Sequence, residues 1–256
     1  MLEEGMIDVE PRTYIGMSSI GHECMRYLWF NFRWAFSSRI TKRQARLFSR
    51  GHREEEVIIQ ELEKIGIKCH SFQEEFVLGW GHIKGHCDGM CDNVPEAPKT
   101  THLLEIKTMN DAAFKDIWKR GLEVSKPIYY AQCIIGMYGY GLSRALFIST
   151  NKNDDAYYVT RVREDKRRAK DLIRRAESII LSEEPPAKIF KPTWYACKYC
   201  DANAICHYGG ALNFNCRTCI NSSPGKEGKW YCKETTEIDT KKQKEGCSDY
   251  SPIVFV

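Results

Sequence analysis

The pattern of apolar and polar positions predicts a long helix first, then strands interleaved with helices. Over residues 41–65, Phe48, His52, Glu55, Ile59 and Leu62 recur in alternating steps of four and three and share one helical stripe. Gly66 is placed to end that helix. Residues 72–80 and 82–91 read as two strands around the turn Gly79-Trp80-Gly81. Residues 101–108 form a further strand, apolar on both sides at its start. Residues 111–121 and 127–138 have helical character, and Pro127 is an N-terminal signal for the second. Strands follow at 145–150 and 156–162, then a strongly charged helix at 164–181. Residues 182–188, SEEPPAK, are the best boundary in the chain. Beyond them Cys, Gly, Lys and aromatic residues replace aliphatic ones, leaving too little for an independent core.

Composition narrows the classes. With 256 residues, 43% of them hydrophobic and 28% charged, the chain can bury a core and is not of the disordered type. No apolar run reaches the roughly 18–20 residues of a spanning helix. The N-terminal MLEEGMIDVE lacks the shape of a secretory signal. The expectation is therefore a soluble, cytoplasmic protein with no membrane partner. A formal charge of +4 does not by itself indicate nucleic acid. The twelve cysteines say more, since without a signal peptide they read as reduced thiols or metal ligands. Seven of them follow residue 196.

The candidate chemistry centres on Asp88, Glu105 and Lys107. Residues two apart on a strand share a face, so Glu105 and Lys107 point one way while Leu104 and Ile106 point the other. A charged pair on an otherwise apolar strand is costly unless it has a task. Asp88, at the end of another strand, would bring a second carboxylate alongside. Two carboxylates make a hard oxygen site suited to Mg²⁺ or Mn²⁺. His52 and Glu55 lie within the apolar stripe of the long helix, whereas Glu56 is turned roughly 100° away. An inward His and Glu need partners, which a metal site supplies. Gln132 is placed to hold substrate or water. Glu-x-Lys alone is a common surface tripeptide, and a lone His52 would read as a core histidine. The combination gives them weight.

The tail cysteines fall at Cys197, Cys200 and Cys206, then at Cys216, Cys219, Cys232 and Cys247. That is seven thiols for sites that normally take four each. The last four suit a small zinc module, since a short aliphatic-poor segment needs a metal to fold. Four thiolates suit zinc and iron–sulfur alike, so spacing alone leaves the metals open. Cys69, Cys87, Cys91 and Cys133 lack such spacing and read as core or strand residues.

Two charged patches remain. Arg39, Arg43, Arg46, Arg50 and Arg53 form a basic stripe roughly opposite His52 and Glu55, and a solvated helix face is its default reading. Lys226, Lys229, Trp230, Tyr231 and Lys233 mix charge with aromatic rings. That suits base stacking and packing over a metal site equally.

The ordered set Gly51-His52-x-x-Glu55, Gly85-His86-x-Asp88-Gly89, Glu105-x-Lys107 and Tyr129-Tyr130-x-Gln132 resembles the PD-(D/E)xK nuclease superfamily in its RecB-like exonuclease branch, over roughly residues 18–206. The resemblance implies an α/β, restriction-endonuclease-like core, with a central mixed sheet flanked by helices, and a metal-dependent DNA nuclease, most often an exonuclease. It implies that His52, Asp88 and Glu105 bind Mg²⁺ or Mn²⁺ with the Ile106 carbonyl. Lys107 is then catalytic, and Glu55 and Gln132 complete the site. The family often carries Tyr four residues after the Gln; Gly136 stands there instead. Members with an iron–sulfur cluster carry one Cys near the start, in a Ser-x-Ile/Leu-x-x-Cys-x-Arg setting, and three near the end. Ser18, Ser19, Ile20, Cys24 and Arg26 stand in that order, with three residues rather than two between Ile20 and Cys24. The resemblance thus implies a [4Fe-4S] cluster on Cys24, Cys197, Cys200 and Cys206 that clasps the two ends of the chain. It leaves Cys216, Cys219, Cys232 and Cys247 for Zn²⁺. The expected organisation is a nuclease core at 1–190, an iron–sulfur segment at 191–210 and a zinc module at 211–256. The expected substrate is single-stranded DNA or duplex ends. The chain's compactness resembles stand-alone recombination, CRISPR-adaptation-type and phage-encoded nucleases, which implies a bacterial, archaeal or phage-infected cell and a recombination or CRISPR-adaptation protein as a partner. A non-catalytic nucleic-acid-binding protein retaining the fold is the alternative; it predicts loss of Asp88, Glu105 or Lys107, and all three are present.

Overall fold

The protein was analysed as a computed structural model that describes residues 5–233 and 235–255. The first part of the chain carries β1 (Met6–Asp8), β2 (Ile15–Gly16), α1 (Met25–Phe32), β3 (Arg39–Thr41) and the long helix α2 (Lys42–Lys64). The middle carries β4 (Lys68–His70), β5 (Glu75–Leu78), β6 (Ile83–His86), β7 (Gly89–Asp92), β8 (His102–Met109), α3 (Asp111–Ser125), α4 (Pro127–Tyr140), β9 (Arg144–Asn151), β10 (Tyr157–Arg163) and α5 (Lys166–Leu181). The tail adds α6 (Tyr195–Lys198), α7 (Asn203–Tyr208), β11 (Ser222–Pro224), β12 (Trp230–Cys232), β13 (Thr236–Glu237) and α8 (Thr240–Glu245).

A mixed five-stranded sheet in the order β10-β9-β8-β7-β4 forms the centre. Its β8 and β9 run parallel, joined through α3 and α4, and the other neighbours are antiparallel. On one face α2 packs Ile58 and Leu62 against Leu104, Ile106, Leu146 and Ile148. On the other, α3 and α4 bring Phe114, Ile117, Cys133, Ile134 and Met137 onto Leu103 and Phe147. The helices begin where local chemistry starts them. Thr41 caps α2 by accepting from the Gln44 N–H, while the Gln44 side chain accepts from the Thr41 N–H. Pro127 opens α4, and Gly141 closes it in the left-handed conformation. The helix expected at 111–121 runs on to Ser125 across a kink at Gly121. Among the described residues no helix is long and apolar enough to cross a membrane.

The strand expected at 82–91 divides in two. β6 joins a small sheet with β2 and β5, whereas β7 enters the central sheet. The break falls at Cys87 and Asp88. There the Asp88 carboxylate accepts from the N–H of Ile106. The side chain of Asp88 thus serves a backbone donor of β8 just beyond the start of the β7–β8 ladder, where Gly89 faces Leu104.

A third cluster joins the two ends of the chain. Ile20, Leu28, Trp29, Phe30 and Phe32 pack with α5 and with Ala202, Ile205, Trp230, Ile238 and Ile253 of the tail. The tail's few apolar residues therefore complete a shared core. The segment 182–188 is fastened to α1, because Trp29 Nε1 and Arg33 donate to the Ser182 carbonyl and Arg26 donates to those of Pro185 and Pro186. The Gly79–Gly81 turn docks on the Lys226–Gly228 turn so closely that a Cβ on Gly81 would lie 2.3 Å from the Gly228 nitrogen. Trp230, on the hairpin weighed as a stacking surface, is fully buried, and Lys229 pairs with Glu227 and Glu237. Trp230 packs against Phe32 and His82 in the core, so its ring offers no exposed stacking face.

Arg217 is the centre of this third region. Its guanidinium lies 3.8 Å from the Trp34 ring centroid and 4.6 Å from that of Trp230. It donates to Gln243 Oε1 and to the carbonyls of Thr13 and Phe32. Burial, with Arg33 nearby, holds its pKa well below the ordinary arginine value. Arg217→Ala removes three charge-assisted hydrogen bonds and the filler between two indoles. It is expected to cost about 3 kcal/mol and to lower Tm by roughly 10 °C in thermal melting; an unchanged melting curve would refute this role.

Candidate active site

β8 is the middle strand of the central sheet, and its alternation sets the site. Leu104 and Ile106 enter the cluster under α2, so Glu105 and Lys107 turn towards α4. Glu105 is fully buried, and the Lys107 side chain is 22% exposed. Asp88 arrives from the break before β7, its Oδ2 2.7 Å from the Ile106 nitrogen. The Lys107 ammonium donates to Glu105 Oε1 and to the Ile106 carbonyl at 3.2 Å, and it lies 3.9 Å from Asp88 Oδ2. Three oxygens, from two carboxylates and one main-chain carbonyl, thus converge on one cation.

The electrostatics follow from burial. Desolvation pushes the Glu105 carboxyl up to about 8; Lys107 pulls against this, while Asp88 and Glu55 add to it. Burial disfavours the Lys107 ammonium, but Glu105 and Asp88 outweigh it and raise its pKa. Lys107 is therefore a cation throughout the neutral range. Glu55 is raised by burial and then by Asp88, and lowered by His52 and Lys107. These cross-effects bring Glu55 of α2 into the electrostatic field of the β8 site.

An open cleft of about 590 Å³ lies beside these residues. Glu55, Ile106, Lys107, Thr108, Tyr129 and Gln132 line its inner part. Phe48 and His52, on the N-terminal half of α2, also line the cleft while remaining exposed. His52 Nδ1 is 3.6 Å from Glu55 Oε2, and its side chain is 78% exposed, against 24% for Glu55. The stripe read from the sequence is one face, but only Glu55, Ile59 and Leu62 of it turn into the protein. Arg12 and Lys152 also line the cleft. Arg50 donates to the Lys152 carbonyl, so one member of the basic stripe reaches the cleft edge.

Tyr129 was not singled out as a site residue from the sequence. Its ring centroid lies 5.7 Å from Lys107 Nζ, and it lines the cleft one turn before Gln132. The i, i+3 spacing on α4 was the available signal. A Cβ at Gly136 would lie 2.6 Å from Leu103 Cδ2, so a tyrosine there would require the buried Leu103 to repack. Arg12 and Lys152 come from irregular segments and leave no periodic signal.

A hard divalent cation fits this donor set. Glu105 Oε2 and Gln132 Oε1 are buried without a hydrogen-bond partner, and the convergent oxygens already hold an ammonium. In the tail, the Cys197 thiol is raised by burial and by Cys24 and Cys206, and the Cys200 thiol by burial, Cys24 and Cys197. The Cys216 thiol is likewise raised by burial and by Cys247, Cys219 and Cys232. The cysteines expected to act together thus influence one another electrostatically within two separate sets. Among the described residues, no group of three or more His, Cys, Asp or Glu side chains is drawn in to metal-holding geometry.

No family model matches the sequence, and no curated protein matches it. Among solved structures, the protein SSO0001 is 16% identical at a TM-score of 0.46, covering 77% of this chain and 88% of its own. The alkaline exonuclease LHK-Exo from Laribacter hongkongensis is 16% identical at 0.47, covering 66% and 87%. A phage-related exonuclease from Haemophilus somnus 129PT is 15% identical at 0.35, covering 51% and 69%. Likenesses at such scores fix neither the fold in detail nor the activity.

The raised carboxyl has a thermodynamic consequence. Glu105 binds its proton more tightly folded, at about 8, than its ordinary 4.5. The stability this confers is fully present below pH 4.5 and is lost as the pH rises through about 8. In EDTA, the unfolding free energy of the wild-type protein is expected to fall across that window relative to Glu105→Gln, as measured by denaturant titration. Parallel profiles for the two proteins would remove the assignment.

Proposed function

We propose that the protein is a divalent-metal-dependent DNA nuclease, an exonuclease that hydrolyses phosphodiester bonds in DNA recombination, repair or processing. The observation that carries the reading is the convergence of Asp88 Oδ2, Glu105 Oε1 and the Ile106 carbonyl on the Lys107 ammonium beside a cleft with basic walls. The ordered resemblance of these residues to the PD-(D/E)xK pattern supports the same reading.

In this reading Asp88, Glu105 and the Ile106 carbonyl hold Mg²⁺ or Mn²⁺, with His52 and Glu55 flanking them. The bound cation supplies Lewis-acid polarisation of the scissile phosphate and a lowered pKa for water. Each side chain then has its own task. Lys107 keeps its proton, orients the attacking water through its N–H groups and stabilises charge that develops on the phosphoryl oxygens. Tyr129 lies beside the ammonium and limits where it can swing. Gln132 lines the cleft with a buried, unpartnered Oε1 and would accept a hydrogen bond from a group that reaches it. Glu55, whose carboxyl is raised by burial and by Asp88, is suited to take up and return a proton. Arg12 and Lys152 counter the phosphate charge along the cleft wall.

The tail extends the reading to two further metal centres. Cys24, Cys197, Cys200 and Cys206 would hold a [4Fe-4S] cluster, and Cys216, Cys219, Cys232 and Cys247 a Zn²⁺ ion. The neighbouring thiols of each set support this. The role of both centres is to fix segments whose own apolar content is small.

Two measurements test the proposal. With end-labelled single- and double-stranded DNA and Mn²⁺, wild-type protein purified anaerobically is expected to release nucleotides. Lys107→Ala, Asp88→Asn and Glu105→Gln should each be slower by about 10²–10³-fold or more, with circular dichroism unchanged. Equal rates for wild type and Lys107→Ala would sink the assignment. Elemental analysis of the same sample is expected to give about four iron, about four sulfide and about one zinc per chain; zinc without iron would overturn the clasp.

A further inference from the structure

A segment outside the cleft concentrates exposed aromatic rings among lysines. Between residues 188 and 208, Trp194 is 56% exposed, Tyr195 77% and Tyr199 70%. Isolated exposed rings are ordinary on a protein surface. Here they are arranged. Phe190 stacks beneath Trp194 with centroids 5.9 Å apart and planes 17° from parallel, leaving Trp194 in solvent. Tyr195 and Tyr199 meet edge to face at 5.4 Å, and Lys198 Nζ lies 5.7 Å from the Tyr199 centroid. Lys188, Lys191 and Lys198 are all exposed. The one acid in this stretch, Asp201, accepts a hydrogen bond from Ser38.

The segment is also held in place. Its lead-in is fixed by Arg26 through the Pro185 and Pro186 carbonyls, and its turns by Trp194 N–H to the Lys191 carbonyl and by Asn203 to the Cys197 carbonyl. Rings fixed before a ligand arrives lose little entropy when it binds. The segment is close to the cleft along the chain. Ser18 lines the cleft, and Arg26, eight residues on, holds the Pro185 and Pro186 carbonyls at the head of the segment. Eight residues of extended backbone span at most about 29 Å.

Exposed rings with cations, with Ile189 the one large aliphatic side chain exposed among them, match unpaired bases on a phosphate backbone. A protein partner would instead meet an apolar core ringed by polar groups. A duplex hides the faces of its bases, so the complementary ligand is single-stranded. We propose that Trp194, Tyr195 and Tyr199, with Lys188, Lys191 and Lys198, form a stacking platform for single-stranded DNA next to the catalytic cleft. The inference rests on the nuclease reading for the identity of the ligand as substrate.

The test uses the full chain with its metals, in Ca²⁺ to suppress cleavage, and a labelled oligothymidine of about 20 nucleotides. In fluorescence anisotropy, Tyr195→Ala and Tyr199→Ala are each expected to weaken binding by about 5- to 100-fold, while Tyr199→Phe stays close to wild type. The oligonucleotide should quench tryptophan emission in the wild type. Trp194→Phe should lose most of that quench but keep its affinity. Should an alanine variant melt early or lose its metals, the wild type and Trp194→Phe still decide the matter, because quenching that is absent or identical in both overturns the platform. Wild-type affinity in a folded Tyr199→Ala also overturns it. Cleavage by wild type beside Lys107→Ala, measured with Mn²⁺ on the same oligonucleotide, separates the two ideas. Cleavage that depends on Lys107 with no effect of the rings removes only the platform. Ring-dependent binding without cleavage removes only the nuclease.

Discussion

A carboxylate in the middle of a sheet is the constraint on which this molecule depends. Glu105 sits on β8 between two hydrogen-bonded strands, fully buried, and solvent cannot stabilise its charge. Among the described residues Lys107, two residues on and on the same face, is the charge that offsets it, and its ammonium also donates to the Ile106 carbonyl. Asp88 closes the arrangement from the next strand by holding the Ile106 N–H. None of the three works alone. Asp88 and Glu105 raise the pKa of the lysine, and Asp88 also satisfies a backbone donor of its strand. Both flanking helices are fitted to this strand. α2 covers the apolar side chains of its other face, and α4 brings Tyr129 and Gln132 to its charged one.

The same economy governs the two ends of the chain, with arginine in the role of lysine. Arg217 and Arg33 are buried, and their hydrogen bonds go to carbonyls and an amide while their planes lie against indole and phenyl rings. Three carbonyls that would otherwise be buried without partners, those of Thr13, Phe32 and Arg217, are satisfied this way. The tail can thus attach to α1 with few aliphatic residues. Two planar cations supply the donors, and the aromatic rings supply the contact area.

Much of the central layer was legible in the sequence because its signals are local. The Thr41 cap, the apolar stripe of α2, the alternation of β8 and Pro127 at the head of α4 each declare themselves within a few residues. Helical periodicity finds a face but not how far the neighbouring sheet extends along it, which is why Phe48 and His52 share a stripe with Leu62 yet stand in the open. The division of 82–91 was hidden because Asp88 there replaces a ladder partner with its side chain, and strand patterning does not register such a substitution. The segment 182–188 reads as a linker from its prolines. Proline nitrogens cannot donate, but their carbonyls accept, and Arg26 uses two of them. Trp230 shows the same limit, since lysines beside an indole do not tell which way the ring points.

The aromatic helix α1 has a consequence for biosynthesis. Trp29, Phe30 and Phe32 are covered by residues that include Trp230, Ile238 and Ile253, more than 190 positions later. At a ribosomal rate of about 5–20 residues per second, that strip of rings waits roughly 10–45 s for its cover. Until those residues emerge, the nascent chain carries this aromatic helix without its full cover. A cellular chaperone that reads aromatic residues has that long an interval in which to engage it.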